Sequence, residues 1–189
     1  MKYISDEIDN ASEMKIDIDP VDYRFDFDQD SLTNFVIPPN CNEIEMSHVN
    51  ESIWSQIKNT IPRSVKSITF LKSKLASLIV PDGIEWVHAT LMELEHVVLP
   101  DSIILASLRW NLLRHVHVPP KTEFLNLEGN ILKSITGSFT NLDYLNIEGN
   151  RIQHLDFAPP ITKEIDIVCD PHVVISDRVK AAMCRAVAP

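Results

Sequence analysis

Apolar residues recur along this chain with the spacing LxxLxLxxNxLxxLxV at intervals of 19 or 20 residues, and most copies run into a proline. The clearest copy is Leu142, Leu145, Ile147, Asn150, Ile152, Leu155 and Phe157. The same register holds Ile103, Ala106, Leu108, Asn111, Leu113, Val116 and Val118, followed by Pro119. Further copies run from Val65 to Pro81, from Ile84 to Pro100, and through Leu125, Leu127, Asn130, Leu132 and Ile135. Weaker ones open the array at Phe25 and Phe27 and close it at Ile165 and Ile167. A fixed period of this length marks a stack of similar units, none of which can bury its apolar face alone. We count eight units, of which the second, Pro38 to Ile61, is the longest at 24 residues.

Within each unit the LxL core alternates with polar residues, the pattern of a strand with one buried face. Stacked units therefore make a parallel sheet. The rest of the period is too short for a long helix, and its proline favours extended or polyproline-like backbone. The fold class expected is an α/β repeat: a solenoid with a concave parallel β-sheet, a lean convex side and a C-terminal capping helix. In the longer unit Asn50 can cap a short helix reaching Ile57, with Ile53, Trp54 and Ile57 inward. Asn111, Asn130 and Asn150 stand where the strand turns outward, and read as buried amides that satisfy the bend. The organisation expected is an acidic N-terminal cap over 1–19, the solenoid over 20–175 and a capping helix over 176–189. In that helix Ser176 is the N-cap, and Val179, Met183, Ala186 and Val187 share one side.

The stretches LNLEGNIL and LNIEGNRI resemble the leucine-rich repeat family, and the resemblance covers roughly residues 20–175. The short period and recurring proline resemble the repeats of bacterial effectors injected into host cells, some of which carry a separate ubiquitin-ligase domain. Against that pattern, Ser73 and Met92 stand where the family has Asn, Gly137 replaces an apolar residue, and no ligase domain is expected.

The composition, 44% hydrophobic and 23% charged over 189 residues, suits one domain with a continuous core. No apolar run serves as a signal-peptide core or a membrane span, so a cytoplasmic protein is expected. Delivery by a specialised secretion apparatus would leave no such mark. Cys41, Cys169 and Cys184 are too scattered for a disulfide framework or a CxxC metal site. The net charge of −10 is concentrated at the N-terminal end, where residues 1–60 hold 13 acidic against 4 basic side chains. Such a field repels nucleic acid and anionic membrane and favours a protein partner with a basic surface.

If the LxL residues point inward, the residues before, within and after the motif face the concave surface. The preceding row then reads Arg24, Glu43, Ser67, Trp86, Leu105, Phe124, Tyr144 and Glu164. Four neighbouring units thus present Trp86, Leu105, Phe124 and Tyr144 as a continuous apolar ridge, of the kind that marks binding surfaces. The central row carries Asp26, Glu45, Thr69, His88, Ser107, Asn126, Asn146 and Asp166, and the following one includes Arg109, Glu128 and Glu148. Trp110 and Leu91 extend the apolar area. The reading is a monomeric, non-enzymatic protein-binding module, with an effector or scaffold role in view. Its alternatives are an acidic inhibitor or immunity protein, contacting a basic toxin or nuclease through Asp22, Asp26, Asp28 and Asp30, and an enzyme or ligase subunit using His88 or Cys184.

Chemistry offers little support for the enzyme. His88 has only Ser107 nearby as a nucleophile, with no orienting carboxylate or oxyanion hole. A convex row of His96, His115 and His154, with His117 close by, lacks the convergence that zinc requires. With 4 glycines and no phosphate-binding loop, no cofactor is expected and no metal.

Overall fold

The computed structural model describes residues 22–27, 32, 35–159 and 164–183. The expected N-terminal cap, Asp28, Asp30 and residues 184–189, with Cys184, Ala186 and Val187, lie outside them. Among the described residues, eight short strands stack into one parallel sheet in chain order: Asp22–Asp26, Glu43–Ser47, Ser67–Leu71, Trp86–Ala89, Leu105–Ser107, Phe124–Asn126, Tyr144–Asn146 and Asp166–Val168. Each is one coil of a parallel β solenoid. Val87, Ala106, Leu125 and Leu145 pair across neighbouring strands and are fully buried, so the LxL alternation is the inward face of the sheet.

The return legs pair as well. Ser77–Ile79 lies parallel to His96–Val98, His115–Val118 to Ser134–Gly137, and His154–Leu155 to Val174–Ile175. The convex side is lean, as its length demands, but its extended segments form two-stranded ribbons. The prolines end these legs: the carbonyls of Pro81, Pro100 and Pro119 accept the N–H three residues on, from Ile84, Ile103 and Thr122, and so turn the chain toward the next concave strand. Phe139 takes that place in the seventh coil, its carbonyl accepting from Leu142.

The longer second coil carries the one convex helix found among the described residues, Glu51–Ile57. Asn50 Oδ1 accepts the Ile53 N–H at 3.0 Å, and Ile53, Trp54 and Ile57 are buried beneath it. At the other end Asp177–Met183 is helical, with Val179 and Ala182 buried. The Ser176 carbonyl accepts the Lys180 N–H, placing Ser176 at the N-cap. Arg178 Nε donates to Asp156 Oδ1 at 2.6 Å, tying the helix to the preceding coil and holding the Asp156 carboxyl below its usual range. No described helix is long and apolar enough to cross a membrane.

Two coils differ in register from the sequence reading. Asp22, not Arg24, pairs with Glu43, and Arg24 pairs with Glu45; at the other end Asp166, not Glu164, pairs with Tyr144. Both shifts are of two residues. Tyr23, Phe25 and Phe27 alternate as apolar residues, as do Ile165, Ile167 and Cys169, and a two-residue slip leaves the inward face unchanged. Hydrophobic alternation therefore could not choose between the registers. Asp26 falls beside Ser47, not Glu45, and Asp166 joins the Trp86 row, not the Asn146 row.

Candidate protein-binding surface

The four ridge residues are in direct register, Trp86 with Leu105, Leu105 with Phe124 and Phe124 with Tyr144. Successive strands lie about 4.8 Å apart, so their side chains touch in sequence along the solenoid axis. Phe124 and Tyr144 stack face to face, with ring centroids 4.4 Å apart and planes inclined by 7°. Those two and Leu105 are half-buried by their neighbours, whereas Trp86 at the end of the row is 45% exposed. The ridge is thus part sheet packing and part free apolar surface.

A second apolar row follows from a backbone requirement. In six successive coils the chain takes the left-handed conformation as it leaves the sheet, at His48, Lys72, Leu91, Trp110, Gly129 and Gly149, with φ between 47° and 70°, and Glu93 does so again two residues after Leu91. Glycine holds this position in two coils at no steric cost, while a side chain there costs about 1–2 kcal/mol. Yet Leu91 is 70% exposed, so burial recompenses little of the strain there, while Trp110, 48% exposed, packs about half of its side chain. The Trp110 indole lies across the α-carbon of Gly129, where a β-carbon would collide with it. With Leu71, also exposed, they form an apolar border along the outward ends of the strands.

A floor of short polar residues separates the two rows. His88 and Ser107 pair in register, and Asn126 and Asn146 continue the line. Asn126 Oδ1 accepts the Glu128 N–H and Asn146 Oδ1 the Glu148 N–H, at 3.1 and 2.9 Å. These amides stiffen the strand exits. Burial lowers the His88 pKa below its ordinary value, so the ring is neutral at pH 7 and able to donate and accept. Arg109 spans to Glu128 at 2.9 Å, and Glu148 is exposed.

The acidic end is less free than its composition implies. Asp26 is 2.6 Å from His48 Nδ1, and Glu45 is 3.2 Å from Arg24. On the convex face His96 pairs with Ser77, His115 with Ser134 and His154 with Val174, so Ser134 stands between the His115 and His154 coils. Among the described residues no three His, Cys, Asp or Glu side chains converge as metal ligands. Ile79 and Val98, in register on the convex ribbon, make a smaller exposed patch without an aromatic ring.

The sequence located the ridge, Trp110 and the polar rows from the second coil to the seventh, but not in the first and last. It did not reveal the left-handed position, although Gly129 and Gly149 recurring in phase with Leu91 and Trp110 was the available signal. Leu91→Gly is expected to raise the melting temperature by about 2–3 °C, because the strain relieved exceeds the added chain entropy of glycine. A lower melting temperature in a thermal scan would instead show that the Leu91 side chain packs.

No protein-family model, no curated protein and no solved structure matches this chain.

Proposed function

We propose that this chain is a non-enzymatic, protein-binding module of the leucine-rich-repeat type that engages a protein partner through its concave face. The observation supporting this is the in-register row of Trp86, Leu105, Phe124 and Tyr144, bordered by exposed Leu91 and Trp110. Large aromatic side chains at the centre of a patch, with hydrogen-bonding and charged groups around them, make up the anatomy of an interface core and rim. The repeat spacing and the amide ladder described below support the leucine-rich-repeat assignment. The effector or scaffold role rests on the resemblance of the short, proline-ended repeats, and the cytoplasmic site and monomeric state on composition and charge.

The test is affinity capture run in parallel on the unaltered protein and on Trp86→Ala/Tyr144→Ala, with circular dichroism verifying that both fold. Partners held by the first and lost by the second are expected, since truncating central aromatic residues typically removes about 2 kcal/mol or more each. The same partners on both would mean that the ridge serves only to pack the sheet.

A further inference from the structure

The two apolar rows and the floor between them form a trough along the solenoid axis, and we infer that its occupant is an extended, basic polypeptide segment with large apolar anchors. This rests on the concave face being the binding surface; it adds the conformation and charge of what binds.

Width decides the conformation. The Trp86 and Leu91 rows are five residues apart along the chain, at most about 16 Å. An α-helix, ~10–12 Å across, would fill that span from one border to the other. One extended chain, needing about 4.8 Å on either side in a sheet, fits. The floor suits its main chain, since His88 and Ser107 offer side-chain hydrogen-bonding groups in register and neither carries a bulky aliphatic group. From Trp86 to Tyr144 the trough covers three strand steps, about 14 Å, or four to five extended residues at about 3.3 Å each.

Charge decides the composition. The strand segments 123–128, 143–148 and 164–168 contain no Lys or Arg. Exposed Glu123, Glu148, Glu164 and Asp166 surround the Tyr144 end of the ridge, and Asp166 is in register with Tyr144 itself. The nearest cation on the sheet, Arg109, is already held by Glu128. Lys or Arg side chains flanking an apolar anchor would meet these carboxylates. A second copy of this chain would oppose acid to acid, at a net charge of −10 each, and nucleic acid is repelled for the same reason.

The experiment is selection from a random dodecapeptide display library on the immobilised protein. Enriched peptides are then synthesised and their affinities measured at low and high salt. The expected peptides are net positive with one or two large apolar residues, and salt weakens them. Their affinity should fall tenfold or more on Trp86→Ala/Tyr144→Ala and on Glu148→Lys/Asp166→Lys. Ser107→Arg, which keeps every ring but fills the floor, should abolish binding even if the alanine pair folds poorly. Neutral or acidic peptides that need the ridge would overturn the basic occupant and leave the concave reading standing. Peptides indifferent to both the ridge and Ser107 substitutions would overturn the two together. A library with no enrichment would overturn the extended segment, while the capture experiment judges the surface independently.

Discussion

Asn130→Asp is expected to destabilise the solenoid by about 3–5 kcal/mol at neutral pH, the range for leaving a buried charge uncompensated. The Asn130 amide is buried between coils. Its Oδ1 accepts the Leu113 N–H at 3.1 Å, while Nδ2 donates to the Leu108 and Leu127 carbonyls at 2.9 Å each. Those carbonyls also receive Asn111 and Asn150 respectively, so the three amides form one ladder in which each joins its own coil to the preceding one. Aspartate keeps the acceptor but turns a carboxylate oxygen toward two carbonyls. Protonation would restore a donor, so the folded-state pKa of the new carboxyl must lie above its unfolded value. The destabilisation is then largest above that folded pKa and shrinks as pH falls through it toward the unfolded value, near 4. Denaturant unfolding at pH 7 and pH 4 measures both. A loss under about 1 kcal/mol, or one that grows on acidification, would show that the ladder does not hold the coils together.

Gly137→Ala is expected to cost about 3 kcal/mol or more, and Gly83→Ala only about 1 kcal/mol, although both glycines have positive φ, 114° and 91°. The difference is space. A β-carbon at Gly137 would run into the main chain of Val118 on the paired strand, whereas none of the described atoms lies within 4 Å of one at Gly83. Strain alone acts at Gly83; strain and a backbone collision act together at Gly137. Equal losses in thermal unfolding would mean that the convex ribbon yields readily at Val118.

The same geometry explains why Gly137 breaks the apolar pattern of its repeat. The close approach to Val118 leaves no room for a side chain. Phe139 is buried two residues later and stacks on Phe157 with centroids 4.2 Å apart, supplying apolar bulk nearby. The other two departures also have physical answers. Ser73 Oγ accepts the Val49 N–H and donates to the Leu71 carbonyl, a shortened version of the amide bridge. At Met92 the backbone substitutes, its carbonyl accepting the Leu75 N–H, while Asn111 of the next coil binds the Met92 and Leu94 N–H groups.

How much was legible follows from what the repeat specifies. Period and alternation determine the stack, the inward LxL residues and the row Trp86, Leu105, Phe124, Tyr144, because a strand's side chains can face only two ways. They do not determine absolute register where three alternate residues are apolar, as at Tyr23, Phe25 and Phe27, and there the reading slipped by two. Nor does hydrophobicity encode backbone handedness: apolar spacing makes Leu91 and Trp110 extensions of a patch and carries no sign of their left-handed conformation. The pairing of Asp26 with His48 and of Glu45 with Arg24 was equally out of reach, because it joins residues from different coils at a spacing that the irregular first and second units obscure.

The most direct test of the concave surface is hydroxyl-radical footprinting of the three tryptophans, on the protein alone and bound to a captured partner. Trp86 and Trp110 are expected to oxidise rapidly in the free protein, with buried Trp54 as the slow internal reference, and both should slow markedly in the complex. If Trp86 and Trp110 are as slow as Trp54 in the free protein, or react at unchanged rates in the complex, the concave face is not where this protein binds.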